Sequence, residues 1–104
     1  MNKKIQKIAK ELKSKIILKY EVDELKVFGS SARDDRREDS DIDIYVLIPE
    51  LSRQIEEDLF DIAYDIELKY DCLIDLIVID EKALKGKFAS APIYEKILSE
   101  GLSV

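Results

Sequence analysis

The sequence predicts an α/β protein: a small mixed β-sheet of about three strands flanked by helices, in the order αβαβαβα. Three observations carry this. Two stretches, one ending at Ile16 and one running from Ile55 to Tyr70, place apolar residues at helical spacing. Three short apolar runs, Leu25 to Phe28, Ile42 to Ile48 and Leu73 to Ile79, have strand length. The two kinds of segment alternate along 104 residues, enough for one core and one domain spanning residues 1–104.

Each element has a local reason. Ile5, Ile8, Ala9, Leu12 and Ile16 form one stripe, so Asn2 to about Tyr20 reads as an amphipathic helix. The strand Leu25 to Phe28 is ended by Gly29, one of only three glycines. A short helix starts at Ser31 and runs to about Arg33, and residues 34–39 form a charged loop. Ile42 to Ile48 alternates and is rich in β-branched residues, and Pro49 ends it. Ile55, Leu59, Ile62, Ala63, Ile66 and Tyr70 stripe a long helix beginning near Leu51 or Ser52. Leu73 to Ile79 is almost continuously apolar, with Asp75 inside it; Glu81 to Ser90 is polar and ambiguous. Pro92 suits the first turn of a last helix, and Gly101 suits its C′ position.

Composition excludes several chemistries. There is no histidine and a single cysteine, Cys72, so histidine triads, cysteine zinc sites and an internal disulfide framework are ruled out. The net charge of −6 argues against an extended nucleic-acid backbone as a direct partner. Locally the balance reverses. Lys3, Lys4, Lys7, Lys10, Lys13, Lys15 and Lys19 face only Glu11 in the first twenty residues. A solvated helix surface accounts for that charge; docking of an acidic partner or steering of a triphosphate are the alternatives. No apolar run reaches membrane-spanning length and the start lacks a signal-peptide core, which predicts no membrane association and a cytoplasmic protein.

The chemistry-bearing feature is Gly29-Ser30, then ten residues, then Asp41-Ile42-Asp43. A strand leading into a Gly-Ser turn and a helix start can present unpaired backbone N–H groups to a phosphate. Two acids at i and i+2 on a strand share a face and can hold one divalent cation. Together they predict chemistry on a nucleoside triphosphate. Two decoys fail. Asp39, Asp41, Asp43 and Glu50 fall at calcium-loop positions, but Ile44 stands where an EF-hand needs glycine. A haloacid-dehalogenase start would want a small or β-branched residue where Tyr45 stands. A purely solvated acidic loop explains the charge but not the Gly-Ser turn ahead of it.

The stretch Val27-Phe28-Gly29-Ser30-Ser31-Ala32-Arg33 through Ser40-Asp41-Ile42-Asp43-Ile44 resembles the polymerase-β-type nucleotidyltransferase superfamily. More narrowly, it resembles the minimal nucleotidyltransferases that act as antitoxins beside HEPN toxins. It departs at Asp34, where the superfamily usually carries glycine. The resemblance implies a polymerase-β-like fold and a third metal-binding aspartate on a strand beside Asp41 and Asp43. Asp75 stands where that residue should come, within an apolar run where an ionised side chain is costly without a partner; a salt bridge or strand-end position is the alternative.

These residues predict nucleotidyl transfer with two magnesium ions, Asp41 and Asp43 bridging both and Asp75 serving the acceptor hydroxyl. Gly29 would admit the triphosphate, Ser30 would donate to it, and Arg33 would offer charge or pair with the acidic loop. What the resemblance implies is transfer of AMP from ATP to a tyrosine of a HEPN toxin. A chain this short, ending after its last helix, predicts that the acceptor is bound on little surface or brought by another protein, docking on the N- or C-terminal helix. The alternative is an antitoxin that silences its partner by masking, without catalysis.

Overall fold

The computed structural model describes residues 1–33 and 40–104. The first helix, α1 (Lys3–Ile17), begins where the Asn2 side chain accepts a hydrogen bond from the Ile5 N–H at 2.7 Å. Its predicted stripe, Ile5, Ile8, Ala9, Leu12 and Ile16, is buried. The helix stops at Ile17, short of Tyr20, because the chain tightens there: the Lys19 and Tyr20 N–H groups both donate to the Ile16 carbonyl. β1 (Glu24–Phe28) leads directly into α2 (Ser30–Arg33), and β2 (Ile42–Ile48) follows. The loop expected over residues 34–39 lies outside the described residues.

α3 (Arg53–Tyr70) is capped by Ser52, whose hydroxyl accepts from the Ile55 N–H at 3.2 Å, and closes on Asp71 in a left-handed conformation, φ 51°. It crosses back to β3 (Ile74–Asp80), which therefore pairs parallel to β2, whereas β1 pairs antiparallel to β2. The ambiguous stretch after β3 resolves into α4 (Glu81–Lys85) and a 3-10 turn (Lys87–Ser90), and α5 (Pro92–Glu100) carries proline at its first turn as predicted.

The three expected strands gain a fourth. β4 (Leu102–Ser103) pairs antiparallel with β1 and gives the order β3-β2-β1-β4. This alters the role predicted for Gly101. It is extended (φ −70°, ψ 138°) and not a left-handed cap. A Cβ at this position would lie 2.4 Å from the Ile97 carbonyl oxygen and 2.9 Å from the Lys26 side chain. Glycine is needed here because a side chain would collide with the Ile97 carbonyl in the last turn of α5, not for positive φ.

Because β2 lies inside the sheet, alternate residues face two different layers. Ile42, Ile44, Val46 and Ile48 join Leu25, Val27 and Leu76 under α1 and α3. Contacts at both ends hold these helices together: Tyr20 donates to Asp58, and Lys69 donates to Glu11 at 2.8 Å. Tyr45 and Leu47 face the other way, with Phe28, Ile77, Ile79, Leu84, Phe88 and Ile97. Tyr45 stacks on Phe88 at 6.4 Å, and burial, with Tyr94 and Glu24 nearby, pushes its phenol up to about 12.

Ile97 is the one fully buried side chain that α5 contributes to this second layer. Ile97→Ala should cost about 2–5 kcal/mol, the usual loss for emptying such a site, read as a lower urea midpoint. An unchanged midpoint would mean that α5 does not stabilise the sheet.

Candidate active site

The acids meet on the second face. Asp43 is the second residue of β2, two before Tyr45, and the parallel register sets it directly beside Asp75 of β3. On its other side the antiparallel register sets Asp43 opposite Phe28, the last residue of β1. Gly29 therefore turns next to the Asp43 carboxylate. A Cβ on Gly29 would sit 2.5 Å from Asp43 Oδ2, and Gly29 adopts φ 68°, so both space and backbone demand glycine.

Burial pushes the Asp43 carboxyl above the ordinary carboxylate range, and the nearby charges of Asp75 and Asp41 push it further. A hydrogen bond to Asp75 favours its protonated form, while the Lys96 ammonium of α5 acts in the opposite direction. Asp43 is half-buried; Asp41, one residue ahead of β2, and Asp75 are exposed. Asp75 is thus not the interior charge its apolar surroundings suggested, since the strand exposes it to solvent. A second acid on the same strand shows the contrast. Asp80 caps α4, accepting from the Ala83 and Leu51 N–H groups at 2.8 and 3.1 Å, which hold its carboxyl below the usual range. Asp80 is accounted for by structure; Asp75 faces Asp43.

The expected meeting of three carboxylates is looser than predicted. Among the described residues, no group of three acidic or thiol side chains is gathered closely enough to hold a metal ion. Asp43 and Asp75 are the paired members, and Asp41 contributes charge from the rim. That donor set still suits magnesium, a hard cation usually held by one or two carboxylates with substrate phosphates and water completing its octahedron. The crowding of three negative charges at Asp43 is what such a cation would relieve.

Behind Gly29, the Ala32 and Arg33 N–H groups donate to the Gly29 carbonyl and start α2. Ser30, at the head of α2, is partly exposed. The Ser31 hydroxyl is buried and has no hydrogen-bond partner among the described residues. Arg33 reaches α5, where its Nη1 donates to Glu100 at 2.8 Å. The lysine-rich α1 packs on α3 across the opposite face of the sheet, so its charge is not arrayed around Asp43. A cavity of about 200 Å³ lined by Tyr20, Ile48, Pro49 and Ile55 lies at the far end of β2 and takes no part in this arrangement.

A Gly-Ser turn held against an aspartate pair is the arrangement that the sequence resemblance implied, and comparison decides the family. The description of the nucleotidyltransferase domain family matches residues 5–102. The chain belongs to that family. This nucleotidyltransferase is 40% identical over 87 residues to a Methanocaldococcus jannaschii protein, provisionally named protein adenylyltransferase MJ0141; the match covers 81% of this chain and 87% of the relative. Its fold is shared by a toxin–antitoxin structure with AMP-PNP, at 20% identity and TM-score 0.60, covering 89% of this chain and 69% of that one. It is shared also by a chain of the tri-AMPylated Shewanella oneidensis HEPN toxin in complex with its MNT antitoxin, at 20% identity and TM-score 0.52, covering 95% and 70%.

Of the site residues predicted from sequence, the nucleotidyltransferase fold brings together Gly29, Asp43 and Asp75, with Asp41 and Ser30 alongside. Sequence reasoning missed Lys96 and Ser31. Lys96 lies more than fifty residues from Asp43, and no local spacing signals that α5 returns its charge to the site. Ser31 was read only as part of the motif; its burial depends on the packing of α2.

Proposed function

We propose that this nucleotidyltransferase is a single-domain cytoplasmic antitoxin that transfers AMP from ATP to a tyrosine hydroxyl of a HEPN-type toxin. The observation that carries the reading is the in-register Asp43–Asp75 pair with Gly29 against the Asp43 carboxylate. Support for the acceptor and donor comes from the adenylyltransferase name of the archaeal relative, the AMPylated toxin of one structural neighbour and the AMP-PNP of another.

In this reading Gly29 leaves room for the triphosphate and the Ser30 hydroxyl and N–H donate to its oxygens. Asp41, Asp43 and Asp75 would hold magnesium, which when bound neutralises charge on the phosphates and the carboxylates. The acceptor oxygen attacks the α-phosphorus, the bond to the bridging oxygen breaks, and pyrophosphate leaves. The hydroxyl proton passes to Asp75, the exposed member of the pair, open to an incoming acceptor.

The test is to incubate the protein with the HEPN-type product of a neighbouring reading frame, magnesium and ATP labelled at the α-phosphate. Label is expected on a toxin tyrosine, lost when EDTA removes the metal. A toxin that is inhibited but carries no label would overturn transfer in favour of masking.

A further inference from the structure

We propose that Lys96 is the side chain that takes the triphosphate tail of the nucleotide. The assignment rests on the nucleotidyl-transfer reading above and adds a residue to it.

α5 is fixed in rotation by what it buries. Tyr94 packs against Tyr45, with ring centroids 6.5 Å apart, and Ile97 is fully buried in the same layer. Residues 94 and 97 therefore face the sheet. Lys96 and Glu100, four apart, share a flank of the helix. Glu100 identifies what that flank looks toward: it accepts from Arg33 at 2.8 Å, and Arg33 ends the short helix that Gly29 and Ser30 begin. Lys96 stands one turn earlier on that flank, exposed, and its charge is felt at Asp43.

Charge balance then favours Lys96 over Arg33 as the phosphate ligand. Asp41, Asp43 and Asp75 already crowd negative charge at this end of the sheet, and a triphosphate adds more. Arg33 brings a guanidinium but is matched by the Glu100 carboxylate, so the pair contributes little net charge. Lys96 forms no ion pair within the described residues and carries a compact point charge on a flexible stem, a form well suited to phosphate oxygens. Before nucleotide arrives it offsets part of the Asp43 charge; with nucleotide bound its ammonium moves to the β- and γ-phosphates.

The experiment compares binding of AMP-PNP and of AMP, with magnesium and without acceptor protein, by calorimetry. Lys96→Ala should weaken AMP-PNP roughly tenfold, the size of a lost charge-assisted hydrogen bond, and leave AMP unchanged. Lys96→Arg should recover most of the loss. Because Lys96 is exposed, both variants should keep the wild-type circular dichroism spectrum. An unchanged AMP-PNP to AMP ratio, or an equal loss for both ligands, would overturn the assignment while leaving nucleotidyl transfer standing. Wild-type protein that binds no AMP-PNP would overturn both.

Discussion

Asp43→Asn is expected to abolish nucleotidyl transfer and, in the same molecule, to raise thermal stability. The loss should be about a thousandfold or more, because the substitution removes a carboxylate from a site where several kcal/mol of charge stabilisation are concentrated. The gain has the opposite origin. Asp43 is half-buried between Gly29 and Asp75 and repelled by Asp75 and Asp41, so its carboxyl lies above the ordinary range near 3.8. For an acid whose pKa is raised on folding, the folded state is favoured while the acid is protonated. That advantage is lost as pH rises from 3.8 through the higher folded value.

Above that window the metal-free wild type carries the full repulsion, and the neutral amide of Asp43→Asn does not. The melting midpoint of the variant should therefore exceed that of the wild type at pH 7 by a few degrees, with the difference shrinking on acidification. Magnesium should raise the wild-type midpoint and have a smaller effect on the variant. Calorimetry across pH with and without magnesium checks all of this. A variant less stable than wild type at pH 7 would show that Asp43 serves the fold and not a site.

Gly29→Ala carries the second large effect. The left-handed backbone alone costs alanine about 1–2 kcal/mol. The new methyl would also meet Asp43 Oδ2 at 2.5 Å, well inside contact distance. Something must give, and the carboxylate is the movable partner. Transfer should fall at least about a hundredfold, since a misplacement near 1 Å is enough for that, while the protein remains folded. Retained activity would mean that the turn does not set the carboxylate's position.

How far the sequence revealed this depended on the range of the interaction. The α1 stripe from Ile5 to Ile16 and the α3 stripe from Ile55 to Tyr70 were legible because a helix buries one face at fixed period. Gly29, Asp41 and Asp43 were legible because the chemistry restricts residue type at short spacing. Asp75 was singled out through the family resemblance, and the parallel register sets it beside Asp43. The Arg33–Glu100 contact and the approach of Lys96 stayed hidden, since both depend on α5 folding back across β1. So did β4, two residues whose strand character comes from the edge of β1 and not from their own pattern.

The alternation along β2 has a consequence for how such a chain can change. Asp43 and Tyr45 on one side and Ile42 and Ile44 on the other are separated by nothing except the pleat. A codon gained or lost inside this strand would turn the carboxylate into the dry interior and an isoleucine out to solvent, destroying reactivity and folding in a single event. Side-by-side substitutions on either layer are separable, but length variation is not. Length changes are therefore expected to be tolerated in the connections around the strand and not within it.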